Sequence, residues 1–157
     1  MNNIERQELI TKIAQLPSQL EKITDELSEA QLTTHFLPDE WTVAQNVHHV
    51  ADSHMNSIIR MKLILTEELP TLRPYSQDDW AVLADSTPAA LQNSLQLLKG
   101  LHSRWVILFE SLSEAQWQRK GVHPDIGEVS VEDILISYVD HGEGHLDQIR
   151  RTLAAEK

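Results

Sequence analysis

The chain of 157 residues contains no cysteine. Without thiols it cannot form disulfide bonds, zinc–thiolate sites or a cysteine nucleophile, and it suits a reducing compartment such as the cytoplasm. Residues 1–20 contain no apolar segment of the kind found in signal peptides. No apolar run approaches the roughly 18 residues that a membrane-spanning helix requires. We therefore expect a cytoplasmic protein that does not associate with a membrane.

Basic residues are also scarce, since 13 lysines and arginines accompany 24 aspartates and glutamates, for a net charge of −11. A charge of this sign repels phosphate backbones, so nucleic acid is not an expected partner. The glycine-rich motifs of nucleotide sites and the Gly-x-Ser-x-Gly motif of serine hydrolases are absent. With a hydrophobic content of 41%, residues 1–157 are expected to form a single domain with its own core.

Two long helices are predicted in the first half of the chain. Residues 3–27 repeat apolar side chains in steps of three and four, although Pro17 is expected to kink or divide this helix. Thr42 and Gln45 have the pattern of a capping box, which indicates a second helix over residues 42–69. Its apolar residues follow the helical period, so one face of this helix should be buried.

A third helix is predicted after an extended link over residues 70–87. Either Ser86 or Thr87 should cap it, with Pro88 in the first turn, where proline is tolerated. Apolar side chains then alternate in steps of four and three as far as Leu112. This spacing predicts a helix with one buried seam.

The fourth helix should begin after a turn region at residues 121–128, with Ser130 as its cap, and run to about Ala154. No segment has a convincing strand pattern. We therefore predict an all-α fold, a four-helix bundle. The sequence Leu-Ser-Glu-Ala-Gln occurs at both 27–31 and 112–116, which suggests two similar helical hairpins that contribute ligands to one centre.

The histidines are the side chains that indicate a metal site. His141 and His145 are four residues apart, so a helix directs both imidazoles to one side, as two ligands of one metal ion require. A third imidazole from another helix would leave an open coordination position, which is typical of catalytic metal sites. Taken alone, the pair is equally well interpreted as exposed residues on a polar helix.

The second predicted helix offers the third imidazole, but periodicity does not choose between two candidates. His54 lies on the apolar stripe and could be a hydrogen-bonded core residue. His49 lies on a polar strip with Asp52 and Asn56, which could be a solvated face or a wet pocket. Two further histidines are simplest to interpret as structural or flanking residues: His48 and His102.

Several segments resemble the YfiT branch of the DinB-like superfamily, above all the segment that begins Trp-Thr-Val-Ala-Gln and continues through the His-His pair, residues 41–56. The similarity extends over most of the chain and includes residues 60–63, 70–75, 101–105 and 123–124. It implies a four-helix bundle of the DinB/YfiT type, usually a homodimer, with one divalent ion, zinc or nickel, bound per subunit. Matching the motifs assigns the ligands as His49, His141 and His145.

The resemblance also implies a function. Members are metal-dependent hydrolases or enzymes that transfer a low-molecular-weight thiol to an electrophilic small molecule, and we favour thiol transfer. Asp52 and Asn56 become candidate catalytic residues, because the polar strip beside His49 would then face the metal. The alternatives are hydrolysis of an amide or ester, with Asp52 as the base, and a metal-binding stress protein without turnover. Gly144 departs from the family, whose members often carry a histidine there.

Overall fold

A computed structural model describes residues 1–86 and 91–156 of the chain. Four long helices dominate it, and they form the predicted four-helix bundle. In chain order the elements are α1 (Asn3–Thr24), α2 (Glu29–Thr33), α3 (Val43–Thr66), α4 (Gln77–Ala81), α5 (Leu91–Glu110), α6 (Glu114–Trp117), β1 (Lys120–His123), β2 (Gly127–Ser130) and α7 (Val131–Ala154). None of these helices is long and apolar enough to cross a membrane.

The long helices are not arranged around the bundle in their chain order. Helices α1 and α3 each pack closely against both α5 and α7. Successive long helices α1 and α3 therefore lie across a diagonal of the bundle. The interior contains an aliphatic cluster, which includes Leu20, Val47 and Leu95, and a cluster rich in aromatic rings, which includes Trp105 and Phe109.

Local capping interactions place the ends of the two helices that carry the candidate ligands. Thr42 and the side chain of Gln45 form the predicted capping box at the start of α3. Ser130 and Asp133 form another at the start of α7, which runs to Ala154 as predicted. Each box satisfies backbone N–H groups that the helix itself leaves unpaired, which is why the sequence located these starts correctly.

Helix α1 continues through Pro17 from Asn3 to Thr24, so the proline does not divide it. Pro17 is buried, between the core residues Leu16 and Leu20. A proline removes one backbone hydrogen bond and crowds the preceding turn. Packing of this apolar face against α5 and α7 offsets that cost.

The prediction that the chain contains no strand is wrong. Strands β1 and β2 form an antiparallel hairpin in the predicted turn region, with Gly127 at a φ of 80°. The link after α3 joins it, because the Leu72 N–H donates to the carbonyl of Val122 at 2.8 Å and the Val122 N–H donates to the carbonyl of Pro70 at 2.8 Å. Four-residue strands are too short to show a clear alternation of apolar and polar side chains.

The rest of the predicted link is not extended throughout, since it contains α4. The repeated five-residue sequence has a structural counterpart. Ser28 and Gln31 cap α2 with the same reciprocal hydrogen bonds that Ser113 and Gln116 form at α6. The predicted cap and first turn of the third helix at Thr87 and Pro88 lie outside the described residues.

Candidate metal centre

Three histidines meet between α3 and α7. His49, His141 and His145 each place a ring nitrogen within 4.8 Å of the other two. The Nε2 atoms of His49 and His141 are 3.0 Å apart. The bundle thus brings together the set that the family resemblance implies, and their role as metal ligands is a prediction that this geometry supports.

Helical spacing and a close helix contact place the two histidines of α7. His141 and His145 lie one turn apart, and their ring centroids are 4.5 Å apart. Between them, Gly142 faces α1, where an added Cβ would lie 2.6 Å from Cδ2 of Leu16. The missing side chain therefore allows α1 to approach α7 directly beside the centre.

Burial keeps the three imidazoles uncharged. It lowers the pKa of His49 to about 4, and the repulsion that a protonated His49 would feel from a protonated His145 adds to this. Burial and the charges of His145 and His49 lower the pKa of His141 to about 3, and burial lowers that of His145 to about 4. Neutral imidazoles offer free lone pairs at pH 7, so this donor set fits a divalent ion of the zinc or nickel type.

Asn46 holds the ring of His145, a role that neither periodicity nor the family resemblance indicates. Its side-chain oxygen lies 2.7 Å from Nδ1 of His145, while its amide nitrogen donates to the carbonyls of Trp41 and Thr42. The two carbonyls fix the orientation of the amide, so the oxygen must accept and His145 Nδ1 must carry the proton. His145 consequently presents its Nε2 lone pair to the centre. The available signal was the position of Asn46 one turn before His49.

The three histidines open into a cavity of about 310 Å³. Carboxylates of Glu40 and Asp78 share it, and the Trp41 ring packs against His49 with 4.6 Å between centroids. Glu40 pairs through Oε1 with Arg151 at 2.9 Å, while its Oε2 is buried without a hydrogen-bond partner among the described residues. The described residues of the lining are Asp39, Glu40, Trp41, His49, Gln77, Asp78, His141, His145 and Gln148. None of these side chains is a hydroxyl, thiol or amine.

The two predicted catalytic residues lie farther along α3 and outside this lining. Asp52 is half-buried, and burial together with the charge of Asp85 raises its pKa to about 6. The Asn56 amide donates to the backbone carbonyl of Asp52 at 2.9 Å. The catalytic roles of both residues stay predictions.

The remaining histidines of α3 and α5 are buried. His54 and His102 are 0% and 1% exposed and lie in the core, as their apolar seams indicated. His48 is buried as well, with Nδ1 2.8 Å from the hydroxyl of Ser94, so it is not a surface residue.

Gly144 is exposed, and a Cβ there would have no atom within 4 Å. The departure from the family pattern at Gly144 therefore leaves the packing unchanged.

Comparison with known proteins gives a consistent set of relatives. Residues 12–149 match the sequence profile of the DinB superfamily. "Putative metal-dependent hydrolase YfiT" of Bacillus subtilis is 43% identical over 141 residues, which are 89% of this chain and 79% of that protein. A relative of the same description from Oceanobacillus iheyensis is 40% identical over 149 residues, covering 95% of this chain and 86% of that protein.

Solved structures agree with these matches. The structure of YfiT from Bacillus subtilis, described as having an unusual four-helix bundle topology, superposes with a TM-score of 0.93 at 38% identity. The match covers 97% of this chain and 87% of YfiT. The mycothiol-dependent maleylpyruvate isomerase superposes with a TM-score of 0.70 at 18% identity over 94% of this chain and 62% of that one. This second likeness shows a shared fold.

Proposed function

Because the chain belongs to the DinB superfamily and carries a three-histidine site, we propose that it is a metal-dependent enzyme that transfers a low-molecular-weight thiol to an electrophilic small molecule. One observation carries the proposal. Three uncharged imidazoles converge in an open cavity whose described lining contains no nucleophilic hydroxyl, thiol or amine. We therefore propose that the nucleophile is a thiol that enters from solution.

The residues at the cavity have different roles in this proposal. His49, His141 and His145 would hold the divalent ion, zinc or nickel, and Asn46 keeps His145 in the binding tautomer. A divalent ion held there would supply Lewis acidity, which favours the deprotonated form of a bound thiol or water. Three neutral donors leave the positive charge of the ion undiminished, which suits an anionic sulfur nucleophile.

Hydrolysis is the second candidate, and Glu40 is the observation that favours it. Glu40 lines the same cavity as the three histidines. Its Oε2 atom is buried without a hydrogen-bond partner among the described residues, and rotation of the side chain into the cavity would let it accept a proton from an attacking water. Relatives named as metal-dependent hydrolases point the same way. Asp52, the base suggested by the sequence, is outside the cavity lining and remains a weaker candidate.

An activity panel tests the two reactions directly. We would load the protein with zinc or nickel and assay thiols such as glutathione and bacillithiol with model electrophiles, and separately assay esters and amides. Metal-dependent consumption of a thiol supports transfer, whereas metal-dependent cleavage without a thiol supports hydrolysis. A protein that binds metal and turns over neither set is a metal-binding protein without these activities.

Variants distinguish the reactions further. Glu40→Gln should abolish most hydrolysis if Glu40 is the base, and Asp52→Asn should do so if Asp52 is. A thiol transferase should retain most activity in both variants, because the ion rather than a carboxylate favours the thiolate. Asp147→Asn is the matched control, because Asp147 is an exposed carboxylate that also pairs with Arg151, at 3.2 Å.

We also propose that the protein is a cytoplasmic homodimer, as its family resemblance implies. Light scattering at tens of micromolar measures the assembly directly. A monomer mass at that concentration contradicts the proposal.

A further inference from the structure

Two buried histidines outside the metal centre connect it by hydrogen bonds to the backbone of α1. His102 Nδ1 lies 2.6 Å from the carbonyl oxygen of Ile13, and His102 Nε2 lies 2.9 Å from His54 Nδ1. His54 Nε2 lies 3.2 Å from Nδ1 of His141, a predicted ligand. We call these four residues the histidine chain. They belong to α1, α5, α3 and α7, so the histidine chain crosses all four long helices.

The carbonyl at one end sets the direction of every hydrogen bond in the histidine chain. A carbonyl oxygen can only accept, so His102 Nδ1 must carry a proton. Both His54 and His102 are enclosed in the core, where the uncharged imidazole is favoured, and each ring then has one donor and one acceptor nitrogen. His102 Nε2 then accepts from His54 Nδ1, and His54 Nε2 accepts from His141 Nδ1. Only Nε2 of His141 is left with a lone pair.

Ring geometry agrees with hydrogen bonds between these nitrogen atoms. The planes of His54 and His102 differ by 12° and their centroids are 5.0 Å apart, as expected for rings joined edge to edge through nitrogen atoms. Trp105 and Tyr138 pack against His54 at interplanar angles of 79° and 83°. These aromatic contacts hold the central ring in the orientation that both hydrogen bonds require.

We propose that His54 and His102 are positioning residues that hold the ring of His141 with Nδ1 as a donor and Nε2 directed to the metal. The proposal rests on the proposed metal site. Histidine ligands of metals commonly donate their second nitrogen to a fixed acceptor, and here that acceptor is relayed from a backbone carbonyl through two further imidazoles. Because a carbonyl has no proton to exchange, the histidine chain orients His141 and does not conduct protons to solvent.

Pro17 leaves the carbonyl of Ile13 without its donor in α1, and His102 supplies one, but this local need does not account for His54. Burying a polar side chain costs free energy unless its hydrogen bonds are satisfied, and His54 and His102 are 0% and 1% exposed. Both ring nitrogens of each residue are hydrogen-bonded, and the last bond reaches the centre. A purely structural pair would not need to end on Nδ1 of a residue whose Nε2 faces two other imidazoles.

Nuclear magnetic resonance of the nitrogen-15-labelled, metal-free, full-length protein tests the order of the protons. Long-range proton–nitrogen spectra distinguish a protonated from a bare ring nitrogen. The proposal requires His54, His102 and His141 all to be neutral, with the proton on Nδ1. A proton on Nε2 of His141 in the wild-type protein would overturn it, whether or not the protein binds metal.

Zinc affinity, measured by competition with a chromophoric chelator, tests the consequence. His54→Leu and His102→Leu should each weaken zinc binding by about 10–100-fold, the usual cost of losing an outer hydrogen-bond partner. Leu98→Ala is the matched control, because Leu98 is a fully buried residue one turn before His102 in α5. It should lower the melting temperature while preserving zinc affinity and the three tautomers.

The outcomes separate this proposal from the proposed function. Wild-type affinity in folded His54→Leu and His102→Leu, or an equal loss in Leu98→Ala, overturns the positioning role. If one leucine variant does not fold, the other variant and the spectra of the wild-type protein still test the positioning role. A wild-type protein that binds neither zinc nor nickel refutes the metal site, and the tautomer measurement then shows whether the histidine chain exists without it.

Discussion

His141 and His145 are one turn apart on the same helix, yet they are held in different ways. His141 is supported through the core by the histidine chain, which ends on a carbonyl of α1. His145 is supported by Asn46, whose amide is tied to the first turn of α3. Two ligands that look equivalent in sequence therefore depend on distant packing in one case and on a helix cap in the other.

The glycines beside these ligands show the same contrast. Gly142 follows His141 and is pressed against Leu16, whereas Gly144 precedes His145 and faces open space. The two glycines are two residues apart, so they lie on opposite faces of α7, one packed against α1 and the other exposed. This difference implies that α7 can be altered freely on the side of Gly144 and hardly at all on the side of Gly142.

The largest effect is expected from removing a ligand, and here the two turns should behave alike. His49→Ala, His141→Ala and His145→Ala should each lose more zinc affinity than the roughly 10–100-fold that outer partners cost. Elemental analysis after dialysis measures the retained metal. His123→Ala, on the hairpin, is the control and should retain metal fully. Retention of metal by any one of the three alanine variants would remove that residue from the proposed ligand set.

Substituting the two glycines should change the free energy of unfolding in opposite directions. Gly142→Ala places a methyl group 2.6 Å from Cδ2 of Leu16, and overpacking that costs about 1–3 kcal/mol, less the roughly 1 kcal/mol that alanine contributes to the helix, should destabilise the protein by up to about 2 kcal/mol. Gly144→Ala has room and should stabilise the helix by about 1 kcal/mol, because alanine is the better helix former. Urea unfolding of the metal-free protein measures both. Equal effects in the two variants would contradict the difference between the two faces of α7.

The hydrogen bond that supports His145 can be removed without changing the histidine chain that supports His141. Asn46→Leu eliminates the acceptor for His145 Nδ1 and should weaken zinc binding about tenfold. Asn46→Asp retains an oxygen acceptor while losing the same bonds to Trp41 and Thr42, so it should bind zinc at least as tightly as the wild type. Chelator competition on the two folded variants measures the difference. If both variants lost affinity equally, Asn46 would matter for the cap alone.

The smallest effect concerns Asp52, because burial disfavours the ionised carboxylate that a general base requires. Burial favours the uncharged state of a side chain, which suits a histidine ligand but disfavours a carboxylate base. The pKa of Asp52 is about 6 in the folded protein against 3.8 ordinarily, so the native state keeps a proton that the unfolded state releases. Its contribution to stability is therefore present below about pH 4 and is lost as pH rises to about 6.

Asp52→Asn should remove this pH dependence of the stability. At pH 7 the variant should be more stable than the wild type by about 1 kcal/mol, a value reduced for the partial exposure of Asp52 and solvent screening. The difference should shrink as the pH falls toward 4. Urea unfolding of the metal-free proteins at several pH values measures it. A difference that does not change with pH would show that Asp52 ionises normally.

Much of the fold could be predicted from local sequence. The capping boxes at Thr42 and Ser130 located the starts of α3 and α7, because a cap satisfies nearby backbone groups and needs no distant partner. The hairpin could not be predicted in this way. Its strands are short, and Val122 is paired with both β2 and the backbone around Leu72. Those hydrogen bonds exist only once α3 has returned the chain to that end of the bundle.

By itself, the sequence determined that His141 and His145 share a side of one helix, since helical spacing is a local property. It did not decide between His49 and His54, which periodicity left open and the family resemblance assigned to His49. Only the tertiary structure decided that His49 faces the other two imidazoles while His54 supports His141 from behind. The reason is that α3 packs on both α5 and α7, so two sides of one helix meet different neighbours.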